Sequence, residues 1–466
     1  MATSTVALII IGVMMVLYAT EILPLATTSL LGCLALAVFG VIPLADAFRG
    51  FGNDMVYLIV GMVVVGDALF ETGAAGLIGK KIISVVGTNE KAFIGAIIIV
   101  ILPISAFLSN TATVAMMLPI AASAIAASKG TLKKKDTYMI LGLVAVAGGG
   151  LTLVSSTPQL IAQALLLDGG YEPIGFFELS YIGIPVLVLL VVYVFTVGHK
   201  LKKRIFNFPE AEDEKSEDET SWNKTSEDET ASNGAGLGMS HALSNGANNN
   251  ASNDANNDAS NGAVENTRKD TIKMCIAAAI LVFCIVGFVS GLWSMGIVAM
   301  IGAVLCIVTG CISQERVFSK MNWTSVILIG CSFGLARGLE FSGAGSMVAQ
   351  GLVGLMGEHI SPWLLCASLA LVTVIITNFM SSTATAALLV PIAALAAIEL
   401  DYSVKAAVMA VAIAANIGYA TPIATPPLTM TLTGGYRFMD YVKYGGILNI
   451  LAYILIIALF PLVFHF

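Results

Sequence analysis

Residues 109–120 read SNTATVAMMLPI, and 272 positions further on residues 381–392 read SSTATAALLVPI. Each phrase sets hydroxyls and an amide or a second hydroxyl at the front of an apolar run and closes on Pro-Ile. Few folds spell such a segment twice, and internal duplication on this scale is the mark of transporters built from two repeats. The agreement extends beyond the phrase. Asn53 and MVYLIVG, ending at Gly61, correspond to Asn322 and SVILIG, ending at Gly330, both at an offset of 269. FETGAAG from Phe70 resembles LEFSGAG from Leu339, and SSTPQL from Ser155 matches ATPPL from Ala424, with Thr157-Pro158 falling on Thr425-Pro426 at an offset of 268.

What surrounds the repeats is membrane-like. The chain is 57% hydrophobic and 11% charged, against about a quarter charged in soluble proteins, and its mean hydropathy is +0.89. Many apolar runs approach the roughly 20 residues a helix needs to cross a bilayer, so the fold class is an all-α polytopic membrane protein. The formal charge of −7 comes largely from one acidic stretch at 211–230 and says little about partners; nothing points to a nucleic acid. MATSTVALIIIGVMMVLYATEILP lacks a basic n-region and a cleavage site and reads as an uncleaved first span. The seven cysteines have no C-x-x-C spacing and read as small hydrophobes. No disulfide framework or metal cluster is expected, and the histidines lie away from the repeated phrase.

From 207 to 266 the chain turns acidic and then Asn-rich, a composition that cannot bury enough apolar surface to order itself. This is an expected disordered linker between a first repeat, 1–204, and a second, 271–466. Basic clusters at Lys80 and Lys81, Lys133 to Lys135, 199–204, and Arg268, Lys269 and Lys273 place those segments and the linker in the cytoplasm. Lys80 and Lys135 then share a face, although an apolar stretch from Ala92 to Ala127 separates them. It is short for two spans, so a re-entrant hairpin is expected, with Ser109, Asn110 and Thr111 at its tip. A second is expected over about 362–398. Spans are expected near 4–22, 25–44, 54–77, 138–167 and 177–198, and again near 272–291, 294–312, 324–345, 404–431 and 441–464. Five crossings per half is an odd number. The repeats must therefore be inverted, each with a re-entrant hairpin and a broken helix, and both chain ends must lie outside.

Irregular backbone survives at membrane depth only where protein buries it or it lines a cavity. At each tip one helical arm ends in free carbonyls and the next begins with free N–H groups. The N–H groups and the positive dipole end suit an anion, whereas carbonyl and hydroxyl oxygens suit a small hard cation such as sodium. Ser109, Asn110 and Thr111, and Ser381, Ser382 and Thr383, are thus candidates to bind the substrate, as are Thr157, Thr425 and Pro426 at the Thr-Pro breaks, where proline frees a carbonyl one turn back. No arginine or lysine lies in either tip or either break, so helix ends and co-bound cations must neutralise the anion. A single Ser-Asn-Thr is more often a packing contact and a lone Thr-Pro only a kink; the paired recurrence outweighs that reading. Asp67, Glu71, Glu340 and Glu399 read as interfacial charges near span ends. Glu21 and Arg337 are functional candidates as intramembrane charges.

These motifs resemble those of the divalent anion:sodium symporters, the sodium-coupled dicarboxylate, citrate and sulfate transporters, over nearly all of the chain except the linker. The resemblance implies a homodimer in which each protomer has a static scaffold (1–80 and 271–350) and a moving part (88–204 and 360–466) that travels like an elevator. It implies one sodium site from Ser105, Ser109 and Asn110 with carbonyls near Ser155, and a second from Thr377 and Ser382 with carbonyls before Thr425. Asn110, Thr111, Ser382 and Thr383 would hold the substrate carboxylates. The chain departs from the family pattern at Ser382, where Asn is usual; at Ser156 and Ala424, where Gly precedes Thr-Pro; and at Gln159, where a second proline is usual.

The expected function is secondary transport of a divalent anion, a C4-dicarboxylate before citrate or sulfate, driven by sodium across a bacterial inner membrane without any further cofactor. The rival readings are a sodium-independent dicarboxylate exchanger and an anion sensor that moves nothing. An enzyme is least expected, because no nucleophile with a base, metal cluster or cofactor loop is visible.

Overall fold

The computed structural model describes residues 3–73, 89–128, 130–206, 258–356 and 361–464. Lys80, Lys81, the end of the expected span 54–77 and residues 207–257 of the expected linker lie outside the described residues. The first half contains α1 Thr3–Thr20, α2 Leu25–Val38, α3 Leu44–Phe48, α4 Asp54–Glu71, α5 Glu90–Phe107, α6 Asn110–Ala127, α7 Lys134–Gly148, α8 Thr157–Asp168, α9 Ser180–Tyr193 and α10 His199–Ile205. The second contains α11 Asp258–Ser290, α12 Met295–Val308, α13 Gln314–Lys320, α14 Trp323–Phe341, α15 Ala344–Met356, α16 Pro362–Thr377, α17 Ser382–Glu399, α18 Val404–Ala415, α19 Pro426–Met430 and α20 Phe438–Val463. With α10 and α15 set aside, the order α1 to α9 repeats as α11 to α14 and α16 to α20.

The repeated residues do the same local work in both halves. Asn53 and Asn322 are N-caps whose side chains accept from the backbone N–H groups of Met55 and Ser325, satisfying donors a helix start otherwise leaves bare. Gly61 and Gly330 mark close approaches. A Cβ at Gly61 would lie 2.5 Å from the Ala299 carbonyl oxygen, and one at Gly330 would lie 2.8 Å from the Phe51 ring. Glu21 takes a left-handed φ of 48° just after α1, where its counterpart after α11, Gly291, has 63°. That backbone and its exposure make Glu21 a turn residue rather than a buried charge.

Eight described helices are long and apolar enough to cross a membrane, or nine if the bent pair Leu44–Gly52 and Asp54–Glu71, at 41°, is one span. The chain is an integral, multi-pass membrane protein. Three expectations shift in detail. The spans expected at 25–44 and 294–312 are helices of 14 residues each, or about 21 Å at 1.5 Å per residue, and they stop at left-handed Gly40 and Gly310. The stretch read as short for two spans holds two full 18-residue arms, α5 and α6. Asn89 caps α5 and draws Glu90 and Lys91 into its first turn, while the turn uses only Leu108 and Ser109; length alone does not make this hairpin re-entrant. And α11 begins at Asp258, inside the stretch read as linker to 266: extending a helix already nucleated by a span costs little beside starting one, even through the poor helix formers of DASNGAVEN. The expected broken helices are present. The helix over 138–167 stops at Gly148 and resumes at Thr157, and that over 404–431 stops at Ala415 and resumes at Pro426.

Packing sorts the helices into two groups, and the contacts within each are reciprocal. α4 lies on α12 as α2 lies on α14. In the other group α5 and α6 flank α7 as α16 and α17 flank α18, and α8 meets α17 and α18 as α19 meets α6 and α7. Exchange of partners of this kind is what a two-fold relation between halves produces. The join between the groups lacks that reciprocity. α14 packs on both α8 and α17 and α4 packs on α8, whereas α19 has no comparable contact with either α4 or α14.

Candidate functional site

The first tip turns through Leu108 and Ser109, whose hydroxyl caps nothing, and Asn110 opens α6. Ser105, one turn back along α5 and fully buried, points its Oγ at the Asn110 Oδ1 at 2.8 Å and at the Ala145 carbonyl oxygen at 2.6 Å. Two oxygens thus converge on a hydroxyl that has one hydrogen to give, and the Ala145 carbonyl also accepts from the Gly149 N–H at 3.0 Å. The cluster has more oxygens than hydrogens, and oxygen lone pairs are what hard cations take as ligands. Behind it, the Asn110 amide occupies the space that a side chain at Gly149 would need: a Cβ there would lie 2.2 Å from Nδ2.

The second tip repeats the construction. Thr377 stands in register with Ser105 and donates to the Ala415 carbonyl at 3.1 Å, the counterpart of the Ser105 bond to Ala145. Thr113 and Thr385 each donate to the carbonyl of the tip serine, Ser109 or Ser381, at 3.0 Å. The tips also differ. Ser381 accepts from the Ala384 N–H and so caps α17. The Ser382 N–H donates to the Ala424 carbonyl at 2.9 Å, tying this tip directly to its own Thr-Pro break. Thr111 and Thr383, in the first turns of α6 and α17, are half-buried.

The breaks supply the remaining polar atoms. Ser155 turns its hydroxyl onto the Gly149 carbonyl at 2.6 Å and the Thr152 carbonyl at 3.1 Å, and the Gln159 Nε2 also donates to the Gly149 carbonyl at 3.0 Å. Gly149 therefore has its carbonyl engaged, and Ser155 acts on the site through this turn. The Gln159 Oε1 in the first break and the Thr425 Oγ1 in the second are buried without a hydrogen-bond partner among the described residues. Thr28 Oγ1 and Tyr444 Oη are likewise orphaned, at about 1–3 kcal/mol each if left bare; only Gln159 and Thr425 stand at the breaks. Thr157 shares a hydrogen bond of 3.1 Å with Ser325 of α14, and Pro426 is exposed beside Thr425.

Three contributors were not singled out by sequence reasoning. Asn378 holds the second tip, accepting from the Ala420 N–H at 3.1 Å and donating to the Val374 carbonyl at 2.7 Å. Asn416 accepts from the Ser156 hydroxyl at 2.5 Å. Gln159 was noted only as a departure. The available signal was amides inside apolar runs, and Asn378 and Asn416 both had it.

Among the described residues the charges pair with one another rather than with either tip. Lys202 pairs with Glu90 and with Asp136 at 3.5 Å, Arg316 with Glu71 at 2.8 Å, and Lys405 with Glu172 at 2.7 Å and Glu178 at 2.9 Å. The Lys405 ammonium holds the Glu172 carboxyl below its ordinary range. Arg337 meets Asp168 of α8 at 3.3 Å and Glu340 at 3.2 Å, so this intramembrane arginine binds across the join between groups rather than at a tip.

A family described as citrate transporter matches residues 15–407. The chain belongs to the citrate transporter family. Among its relatives, an uncharacterised Haemophilus influenzae transporter is 25% identical over 95% of this chain and 88% of its own. The sodium-dependent dicarboxylate transporter SdcS of Staphylococcus saprophyticus is 23% identical over 94% of this chain and 82% of its own. The sodium-dependent high-affinity dicarboxylate transporter 3 of Caenorhabditis elegans is 24% identical over 93% and 79%. The uncharacterised Escherichia coli transporter YfbS is 30% identical, but the match spans 41% of this chain and only 31% of that protein. The solved YdaH transporter of Alcanivorax borkumensis shares the fold, with a TM-score of 0.54 at 14% identity over 91% of this chain and 87% of that one. This citrate transporter family member is a transporter, not an enzyme, and the resemblance to the divalent anion:sodium symporters stands.

Proposed function

We propose that this protein is a sodium-coupled symporter of divalent carboxylates, a C4-dicarboxylate before citrate or sulfate, working by an elevator movement across the plasma membrane. The observation that carries the reading is the oxygen-rich cluster of Ser105 Oγ, Asn110 Oδ1 and the Ala145 carbonyl, with a second hydroxyl-to-carbonyl pair at Thr377 and Ala415. Oxygens alone, with no arginine or lysine, suit sodium; the free N–H groups opening α6 and the Thr383 N–H of α17 suit carboxylate. Sodium would be held by Ser105, Ser109, Asn110 and the turn around Ser155 in one half, and by Thr377 and Ser382 in the other. The substrate would rest on Asn110, Thr111, Ser382 and Thr383 between the Thr157 and Thr425-Pro426 breaks. Bound sodium supplies the positive charge that the anion needs, which is how the two are coupled.

The reciprocal packing supports inverted repeats with re-entrant hairpins. The non-reciprocal join supports a moving part, 88–204 and 360–466, resting at one end of its travel along a scaffold, 1–80 and 271–350. Two copies would assemble through the scaffolds, as in the family resemblance, with the linker in the cytoplasm. One observation favours a second reading, sodium-independent exchange: Ser382 offers the second sodium site no amide oxygen.

Uptake of labelled succinate into proteoliposomes, with sodium, potassium or choline outside, separates the two. Sodium-dependent uptake lost in Asn110→Ala is expected. Uptake indifferent to sodium and accelerated by internal dicarboxylate would establish exchange instead, and no uptake of any tested anion would leave a sensor.

A further inference from the structure

The two tips are not chemically equal. Asn110 opens α6 with an amide, whereas Ser382, 272 positions on, opens α17 without one. The neighbouring helix makes the opposite exchange. The hydroxyl-to-carbonyl bonds put Ala145 of α7 in register with Ala415 of α18. The residue after Ala145 is Val146, and the residue after Ala415 is Asn416. The first half thus has Asn at the tip and Val on the helix behind; the second has Ser at the tip and Asn behind.

Asn416 is held in one orientation. It is 7% exposed, its Oδ1 accepts from the Ser156 hydroxyl at 2.5 Å, and its Nδ2 donates to the Ala412 carbonyl at 3.1 Å. Ser156 immediately precedes the Thr157-Pro158 break of the other half, so the amide lies where the two halves meet, next to the carbonyl that takes the Thr377 hydroxyl. Nδ2 has two hydrogens, and among the described residues one of them is placed. The other is free to donate.

We propose that Asn416 positions the substrate: its second amide hydrogen donates to a carboxylate of the bound dianion, making the contact that Ser382 is too short to make, with Ser156 fixing the amide's orientation. This rests on the dicarboxylate transport reading. The plainer role, a C-cap closing α18, needs only the bond to Ala412.

The test is succinate uptake by the full chain in proteoliposomes at saturating sodium, with melting of each purified variant. For Asn416→Ala we expect a KM about tenfold higher, from loss of a charge-assisted bond, with kcat within about twofold. Asn416→Asp keeps the shape, places a carboxylate against the anion, and should cost more. Ser382→Asn in the Asn416→Ala background should recover most of the KM. An unmoved KM in Asn416→Ala, or a lowered melting temperature with no recovery by Ser382→Asn, would reduce Asn416 to a cap and overturn the assignment while the transport reading stands. Wild-type protein that takes up no succinate would overturn both.

Discussion

A methyl group at position 149 would lie 2.2 Å from the Nδ2 of Asn110 and 2.5 Å from its Oδ1, distances no packed pair of atoms tolerates. Gly149→Ala must therefore turn the amide away from Ser105 and dismantle the three-oxygen cluster while every proposed ligand side chain keeps its identity. We expect sodium-dependent succinate uptake to fall at least about tenfold, with a loss of stability of no more than about 1–3 kcal/mol from the overpacking. Uptake and thermal melting measured on the same preparation check this, and wild-type uptake would exclude Asn110 from the cation site. At this scale the sequence was legible where residues recur. Ser109, Asn110, Ser382 and Thr425 stand in paired motifs, and Ser105 and Thr377 followed from family resemblance. Asn378, Asn416 and Gln159 have no partner in the other half, so the comparison that exposed the tips hid them. Their roles come from where the backbone breaks bring them, and spacing does not encode that.

Two polar contacts lie along one pair of elements. Ser325 of α14 meets Thr157 at the start of α8, and Arg337, further along α14, meets Asp168 at its end, so the two helices run side by side in the same direction. An elevator movement must break both contacts. Arg337 and Asp168 are 27% and 21% exposed, and for a pair this accessible a contribution of about 0.5–1 kcal/mol is realistic. Asp168→Asn should therefore change the maximal uptake rate by roughly two- to fivefold and leave the succinate KM nearly unchanged. An unchanged rate would mean that the join is not the step that limits turnover. Apolar spacing on α8 and α14 revealed each helix but not their pairing, and Arg337 read only as an intramembrane charge awaiting a partner. The hairpin arms were under-read for a related reason: a side-chain cap at Asn89 extends a helix through charged residues that hydropathy alone cuts away.

At the scale of the molecule, the reading predicts both chain ends outside and the segments around Lys133 and Arg204 inside. Single cysteines at positions 3, 133 and 464 in a chain cleared of its native thiols, labelled with an impermeant maleimide on intact cells, check it. Labelling at 3 and 464 but not at 133 is expected; labelling at 3 and not at 464 would mean an odd number of crossings and end the inverted arrangement. The duplication made most of the architecture readable, because two noisy copies of one pattern constrain each other. Helix lengths were less so, since left-handed stops at Gly40 and Gly310 act through backbone conformation that composition does not register.

The unequal join also bears on where the proposed elevator rests. If the halves exchange roles as the moving part travels, the contacts α14 now makes with α8 and α17 pass to α4 with α19 and α6, and neither Arg337 nor Asp168 has a charged counterpart there: the positions 269 and 268 away are Ala68 and Tyr436. One end of the stroke then carries an ionic clasp and the other does not. In the proposed elevator the resting distribution between the two faces of the membrane is then set by a pair with one member in each half, so a change at either Arg337 or Asp168 retunes the rates of the stroke while the gradients still set its direction and the binding residues stay as they are.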